Sequence, residues 1–317
     1  VNPSDLSIPS TDAALRKSFA IAEETVRREA KNFYWGLRLT PEPRRSALYA
    51  IYAWMREGDD IVDEPARAGE FDAFKLRTRE AFAGRTSGGL WPAFAHTVRT
   101  YGIDPLWLDA MLAGFAADLD HQQPATLAEL EHYCYQVGSV VGLCCVSIWG
   151  IKGGSIDRER VLSLAAERGR AFQLTNVLRD IGTDARMQPA RLYVPRTLME
   201  TQSVSRESLL SWSQDEACRR VVQPLIDRAD RAYADSAALD RMVNDDCVPV
   251  LWTMTRTYQE ILRAIASEPR GSVGAQAVRV PKWKKAVTMM VASTVRPWRW
   301  GPAATESSIQ TSGETRL

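Results

Sequence analysis

AFQLTNVLRDIGTDARMQPARLYVP, residues Ala171–Pro195, carries its polar side chains in a helical register. Gln173, Asn176, Asp180 and Asp184 recur at spacings of three, four and four, which places them within about 80° of one helical face. Phe172 and Val177 border that face, so the row of oxygen-bearing side chains adjoins apolar surface. Taken alone, such a stripe reads as a solvated face. Gly182 lies inside the row and is expected to loosen the helix there, at about 1 kcal/mol relative to Ala.

A second acidic run stands earlier in the chain, GDDIVDE at Gly58–Glu64. Projected as a helix, Tyr52, Arg56, Asp59 and Asp63 fall within an arc of about 60°. Leu48, Ile51, Met55 and Val62 flank that arc, Asp60 lies at its margin, and Glu57 and Glu64 lie on the far side. The competing reading is a surface helix on which Arg56 pairs with Asp59 or Asp60, a common and weak arrangement. Carboxylates beside a core are costly without a cation or a donor. Two rows with paired aspartates, turned toward each other, would make an oxygen-rich cage for magnesium bridging to a phosphate-bearing substrate.

The rest of the chain is consistent with helices. Clear alternating strand runs are missing, and helical periodicity is expected near Asp12–Tyr34, Pro43–Glu64, Glu70–Ala83, Pro105–Leu119, Leu127–Gly150, Ile156–Asp184, Glu216–Leu239 and Val248–Ala266, with a short helix from Pro281. Thr126 with Glu129 forms an S/T-x-x-E capping box. Turn-forming residues mark breaks at Arg85–Gly89, His121–Pro124, Gly150–Ser155 and Arg186–Ala190. The expectation is an all-α fold with one helical domain over residues 14–295, preceded by a disordered stretch at 1–13 and followed by a disordered tail at 301–317 rich in Ser, Thr and Gly.

Composition narrows the function classes. The chain has 317 residues, 45% hydrophobic and 25% charged, in the range of a globular protein. Forty basic against 39 acidic residues leave +1, which implies no field for nucleic acid. Cys134, Cys144, Cys145, Cys218 and Cys247 form no CxxC pair and read as buried thiols of a reducing compartment. No signal peptide and no spanning helix is expected, which points to the cytoplasm. The apolar and basic Lys282–Trp300 segment suggests peripheral contact with the inner face of a membrane.

YAIYAWMREGDDIVDE (Tyr49–Glu64), YCYQVGSVVGL (Tyr133–Leu143) and the Q-x2-N-x3-D-x3-D row followed after six residues by R-x-Y-x-P resemble three signature regions of the squalene/phytoene synthase family. The resemblance spans about Phe19–Lys285. It implies an isoprenoid-synthase helical bundle with a deep central cavity, and an enzyme that joins two prenyl diphosphates head to head (1′–1) through a cyclopropylcarbinyl diphosphate. It also implies Mg2+, with Mn2+ as a substitute, held by Asp59 and Asp63 from one wall and by Asn176, Asp180 and Asp184 from the other. Diphosphate leaves poorly until its developing charge is neutralised, and the allylic cation left behind needs a dry cavity.

By the same resemblance, Arg56, Tyr52, Gln173, Arg179, Arg191, Tyr193, Tyr258 and Lys285 would contact substrate diphosphate, and Tyr133 would assist proton movement. An isolated tyrosine in an apolar helix otherwise reads as packing. Leu37 and Tyr49 are candidates for the cavity floor. The ARMQPA loop and Ala277, with Arg279 two residues on, depart from the family pattern and weaken the phosphate assignments without touching the metal motifs. Geranylgeranyl diphosphate as substrate, giving phytoene for carotenoids, is the first expectation. Farnesyl diphosphate is the alternative, with presqualene diphosphate or squalene as product and NADPH needed only for squalene. Rival readings are a class I terpene cyclase or head-to-tail prenyltransferase, which YCYQVGSVVGL and R-x-Y-x-P disfavour, and a non-catalytic assembly factor, which the intact aspartate pairs disfavour.

Overall fold

The computed structural model describes residues 12–30, 36–153, 157–276, 278, 288, 291, 292 and 294. They form an all-α protein whose one strand-like pairing, among the described residues, is an isolated bridge between Ile151 and Val243. The helices are α1 Ala13–Glu29, α2 Arg44–Asp63, α3 Phe71–Phe82, α4 Trp91–Thr100, α5 Pro105–Asp120, α6 Leu127–Cys134, α7 Val140–Trp149, α8 Arg158–Asp184, α9 Arg196–Thr201, α10 Arg206–Ser211, α11 Asp215–Asp235 and α12 Val248–Ser267. Lys285, Ala277, Arg279, the helix expected from Pro281 and most of Lys282–Trp300 lie outside the described residues.

Local chemistry sets several helix starts. Asp12 caps α1 through Leu15 N–H at 2.9 Å, so the stretch expected to be disordered gives way to helix at Ala13. The Thr126 box forms: Thr126 Oγ1 accepts from Glu129 N–H at 3.2 Å, and Glu129 Oε2 accepts from Ala125 N–H at 2.8 Å. Two expectations change. The first helix ends at Glu29, short of Tyr34. Leu127–Gly150 is not one continuous α-helix, because Tyr135–Ser139 forms a π turn between α6 and α7. An extra residue in a turn leaves the apolar spacing almost unchanged, so periodicity does not reveal it.

Helix α8 organises the bundle, packing against the π turn, α7, α11 and α12. Its first half, with Val161 and Ala165, belongs to an apolar cluster built largely by α1–α5 and α7. Its second half, Ala171 to Ile181, belongs to another built with α6, α9, α11 and α12. The crossing with the π turn and α7 is close: a Cβ on Gly169 would lie 2.3 Å from Gly138 O, and one on Gly142 would lie 2.3 Å from Ala165 O. Small residues on both sides let the two backbones touch, and this contact becomes one wall of the cavity described next. Within the first cluster, Trp54 stacks on Phe94 at 5.1 Å and on Phe74 at 5.7 Å, and its indole N–H donates to Thr78 Oγ1 at 2.9 Å.

Candidate active site

A cavity of about 300 Å³ lies between α2, α5, the π turn, α7, α8 and α12, at the lower end of the size expected for a small-molecule pocket. On α2 its wall runs from Leu48 through Ile51, Tyr52, Met55 and Arg56 to Asp59; on α8 it runs from Ala165 through Gly169, Phe172 and Gln173 to Asn176. Each span covers twelve residues, whose eleven steps of 1.5 Å make about 16 Å. Both walls end with oxygen-bearing side chains and begin apolar except at Arg168 of α8, which also lines the cavity and whose guanidinium donates to Ser236, Asp240 and Thr255. Their two C-terminal ends are tied together: Arg191 Nη1 donates to Asp63 at 2.5 Å, Nη2 donates to Val62 O at 2.8 Å, and the Arg191 backbone N–H donates to Asp184 O at 2.9 Å. The cavity is therefore an apolar pit with an acidic rim.

Of the residues singled out from sequence, Tyr52, Arg56, Asp59, Gln173, Asn176, Tyr258 and Leu37 line this cavity. Asp63, Asp180, Asp184, Arg179 and Arg191 sit past its lining, on and beside the continuing ends of α2 and α8. Tyr133 and Tyr193 also stand outside the lining and meet each other on Asp118. Tyr49 is buried but does not line the cavity. Arg56 pairs with Asp60, not Asp59. Arg179 grips Asp180 with two donors, Nε to Oδ1 at 2.8 Å and Nη2 to Oδ2.

Helix α8 runs unbroken through Gly182, contrary to the loosening expected there. A Cβ at Gly182 would lie 2.5 Å from Gly274 O and from Val273 C and O. The glycine thus admits the turn at Pro269–Val273, which Arg186 also holds by donating to Gly274 O at 2.8 Å and Val273 O at 3.1 Å.

The electrostatics are those of an acidic site in low-dielectric surroundings. Burial, followed by the neighbouring Asp63, pushes the Asp59 carboxyl up to about 8. Burial, followed by Asp180, pushes Asp184 up to about 7. Burial raises Tyr52 to about 12 and also raises Tyr258, which adjoins Arg179 and Asn176. Asn176 Nδ2 donates to Gln173 Oε1 at 3.2 Å, leaving Asn176 Oδ1 buried without a hydrogen-bond partner.

This donor set suits a hard cation: carboxylate and amide oxygens, one of them orphaned, in a place where negative charge is unfavourable. Among the described residues no three His, Cys, Asp or Glu side chains stand close enough to hold one ion together. Magnesium at such a rim would complete its shell with water and phosphate oxygens, its usual habit when one or two carboxylates are offered.

Sequence reasoning missed Asp118 of α5. It is 8% exposed, and burial raises its carboxyl. An acidic residue inside the otherwise apolar AMLAGFAADLD run of Ala110–Asp120 was the available signal. The walls contributed by Met111, Phe115, Cys145 and Trp149 were missed as well, since apolar side chains at helical spacing do not announce a cavity. Among the described residues, no helix is long and apolar enough to cross a membrane.

Comparison with known proteins agrees with the all-α fold. The sequence pattern of the squalene/phytoene synthase family matches residues 26–284. The chain is similar to a 15-cis-phytoene synthase of Synechocystis sp., 31% identical and covering 88% of this chain and 86% of the relative. It is 32% identical to the chloroplastic phytoene synthase 1 of Arabidopsis thaliana, over 92% of this chain and 69% of the relative. Among solved structures, a dehydrosqualene synthase shares the fold, with a TM-score of 0.76 at 22% identity over 88% of this chain and 96% of that one. A squalene synthase from Alicyclobacillus acidocaldarius gives 0.73 at 25% identity, over 82% and 97%.

Proposed function

The chain belongs to the squalene/phytoene synthase family, and from that premise we propose that it joins two molecules of geranylgeranyl diphosphate head to head to give phytoene. The observation that carries the substrate class is the acidic rim on an apolar pit, with Asp59 and Asn176 on facing walls of one cavity. The length of the prenyl chain rests on relatives named phytoene synthase at 31–32% identity over most of the chain.

In this reading Asp59 and Asp63 hold Mg2+ on one wall, and Asn176, Asp180 and Asp184 hold it on the other. Bound magnesium would neutralise charge developing on the departing diphosphate. Arg56, Arg179 and Arg191 supply guanidinium donors to diphosphate oxygens, charge-assisted bonds of the strong kind, while Tyr52, Gln173, Tyr193 and Tyr258 orient it. The apolar walls, including Met55, Phe115 and Phe172, exclude water from the allylic cation. Joining C1 of one molecule across the 2,3 double bond of the other releases one diphosphate and one proton and gives the cyclopropylcarbinyl diphosphate. Loss of the second diphosphate, rearrangement and loss of a second proton give phytoene with no reductant. Tyr133 would assist proton movement only through a rearrangement, since it stands outside the cavity lining.

The second reading is squalene-type coupling of farnesyl diphosphate, favoured by the 25% identity to the Alicyclobacillus squalene synthase. Incubating purified protein with Mg2+ and either C15 or C20 diphosphate, with and without NADPH, decides between them. Phytoene from the C20 substrate without NADPH is the expected result. Presqualene diphosphate or squalene from C15, with C20 untouched, overturns it.

A further inference from the structure

The Arg191 guanidinium and a cation need the same oxygen. Nη1 of Arg191 contacts Asp63 Oδ1 at 2.5 Å, and the arginine side chain is 8% exposed against 33% for the aspartate. A second donor is fixed on Val62 O at 2.8 Å, and the backbone N–H is fixed on Asp184 O at 2.9 Å. Nε of Arg191 is buried without a partner. The residue thus joins the ends of α2 and α8 and still has a donor to offer. We propose that Arg191 and a divalent cation compete for Asp63 and that diphosphate decides the contest, so that the cation and diphosphate bind with strong mutual dependence.

The energetics run in one direction. Asp63 adjoins the buried Asp59, whose ionised form it already disfavours, so removing the guanidinium leaves two neighbouring acidic groups with less compensation. A cation alone must both displace Arg191 and strand its charge. Diphosphate supplies several acceptor oxygens that satisfy the guanidinium fork, including the unused Nε–H. Once the arginine turns to phosphate, Asp63 is free for the cation. Linkage makes the effect reciprocal: whatever diphosphate adds to cation affinity, the cation adds to diphosphate affinity. The backbone bond to Asp184 keeps Arg191 at the rim throughout the exchange.

This inference rests on reading the rim as a magnesium–diphosphate site, and the test separates the two. Calorimetry would measure Mg2+ alone, and preformed magnesium pyrophosphate, binding to the full chain as wild type, R191Q, R191K and D63N. Wild type is expected to bind Mg2+ alone at least about tenfold more weakly than R191Q, with R191K between them because an ammonium cannot hold Asp63 and Val62 O together. Magnesium pyrophosphate should bind wild type best. Equal Mg2+ affinity in wild type, R191Q and R191K, with magnesium pyrophosphate still binding wild type, overturns the competition. Should R191Q fail to fold by circular dichroism, equal affinity in wild type and R191K has the same force. Wild type that ignores magnesium pyrophosphate, or D63N that binds it as tightly as wild type, overturns the site itself.

Discussion

Tyr193 donates to Asp118 Oδ1 at 2.7 Å, and Tyr133 donates to the same carboxylate at 2.9 and 3.1 Å. The two phenol rings stack, centroids 4.9 Å apart and planes 17° from parallel. One buried carboxylate therefore joins α5, α6 and the segment that carries Arg191. Burial, followed by the Asp118 charge, raises both phenols, so they act as fixed donors. Asp118→Leu removes the acceptor of two buried hydroxyls and is expected to cost about 2–5 kcal/mol. Asp118→Asn keeps one carbonyl oxygen and should cost less. Urea denaturation of both variants checks this. Equal losses would show that the phenols do not depend on the carboxylate.

A pH dependence follows from Asp59 and Asp184. Their carboxyls stand at about 8 and about 7, raised first by burial and then by Asp63 and Asp180 respectively. Between pH 5 and those values the folded chain keeps protons that an unfolded aspartate has lost, so these groups make stability fall as pH rises. Asp59→Asn removes one of the two titrations. The difference in melting temperature between Asp59→Asn and wild type should therefore grow in the variant's favour from pH 5 to pH 8, measured without divalent cations. Product formation by the variant should drop by about 100-fold or more. A constant difference across that range would contradict the assignment.

Asp59 and Asn176 reach the same cavity because both rows keep helical period to their C-terminal ends, and period is what a sequence displays directly. The capping box at Thr126 was legible for the same reason: its partners are three and four residues apart. Asp118 stands out as an acid in an apolar run, but its role was not legible, since its partners Tyr133 and Tyr193 lie 15 and 75 positions away and nothing local marks the meeting. Arg56 illustrates an intermediate case. Spacing allowed Asp59 or Asp60, and only the packed helix selects Asp60. Helix α4 was overlooked although Trp91-Pro92 at its start and Phe94, Ala95 and Val98 on its buried face are local signals. The π turn has no such signal, because it arises where Gly138 of the turn meets Gly169 of α8.

Gly182 is needed for close approach, and its replacement should separate two backbones. In Gly182→Ala the new methyl would stand 2.5 Å from Gly274 O and Val273 C and O. Backbone atoms cannot swing aside as a side-chain end can, so the turn at Pro269–Val273 must shift away from α8. Higher intrinsic helix propensity of Ala offsets about 1 kcal/mol, and the overpacking costs about 1–3 kcal/mol. The net expectation is a small loss of stability together with weakened binding of magnesium pyrophosphate, because the displaced contact braces the last turn of α8 from the face opposite Asp180 and Asp184. Chemical denaturation and calorimetry check both parts. A more stable variant with unchanged binding would show that the turn yields without cost.

Gly58 offers a test of how the cavity reads chain length. A Cβ there would lie 2.3, 2.8 and 2.9 Å from three ring atoms of Phe115, which lines the cavity. Trp54 and Phe74, with centroids 6.1 and 6.4 Å from that ring, block its retreat into the core. Gly58→Ala should therefore push Phe115 into the cavity and shorten the space for an apolar tail. Losing room for one or a few methylenes changes discrimination by about 10–200-fold, so C20 diphosphate should suffer more than C15 when both compete for the enzyme. Adding Phe115→Leu to Gly58→Ala removes the displaced ring edge and should restore C20 use. An unchanged C20-to-C15 ratio in the single variant, with the protein folded, would place the length determinant on another wall.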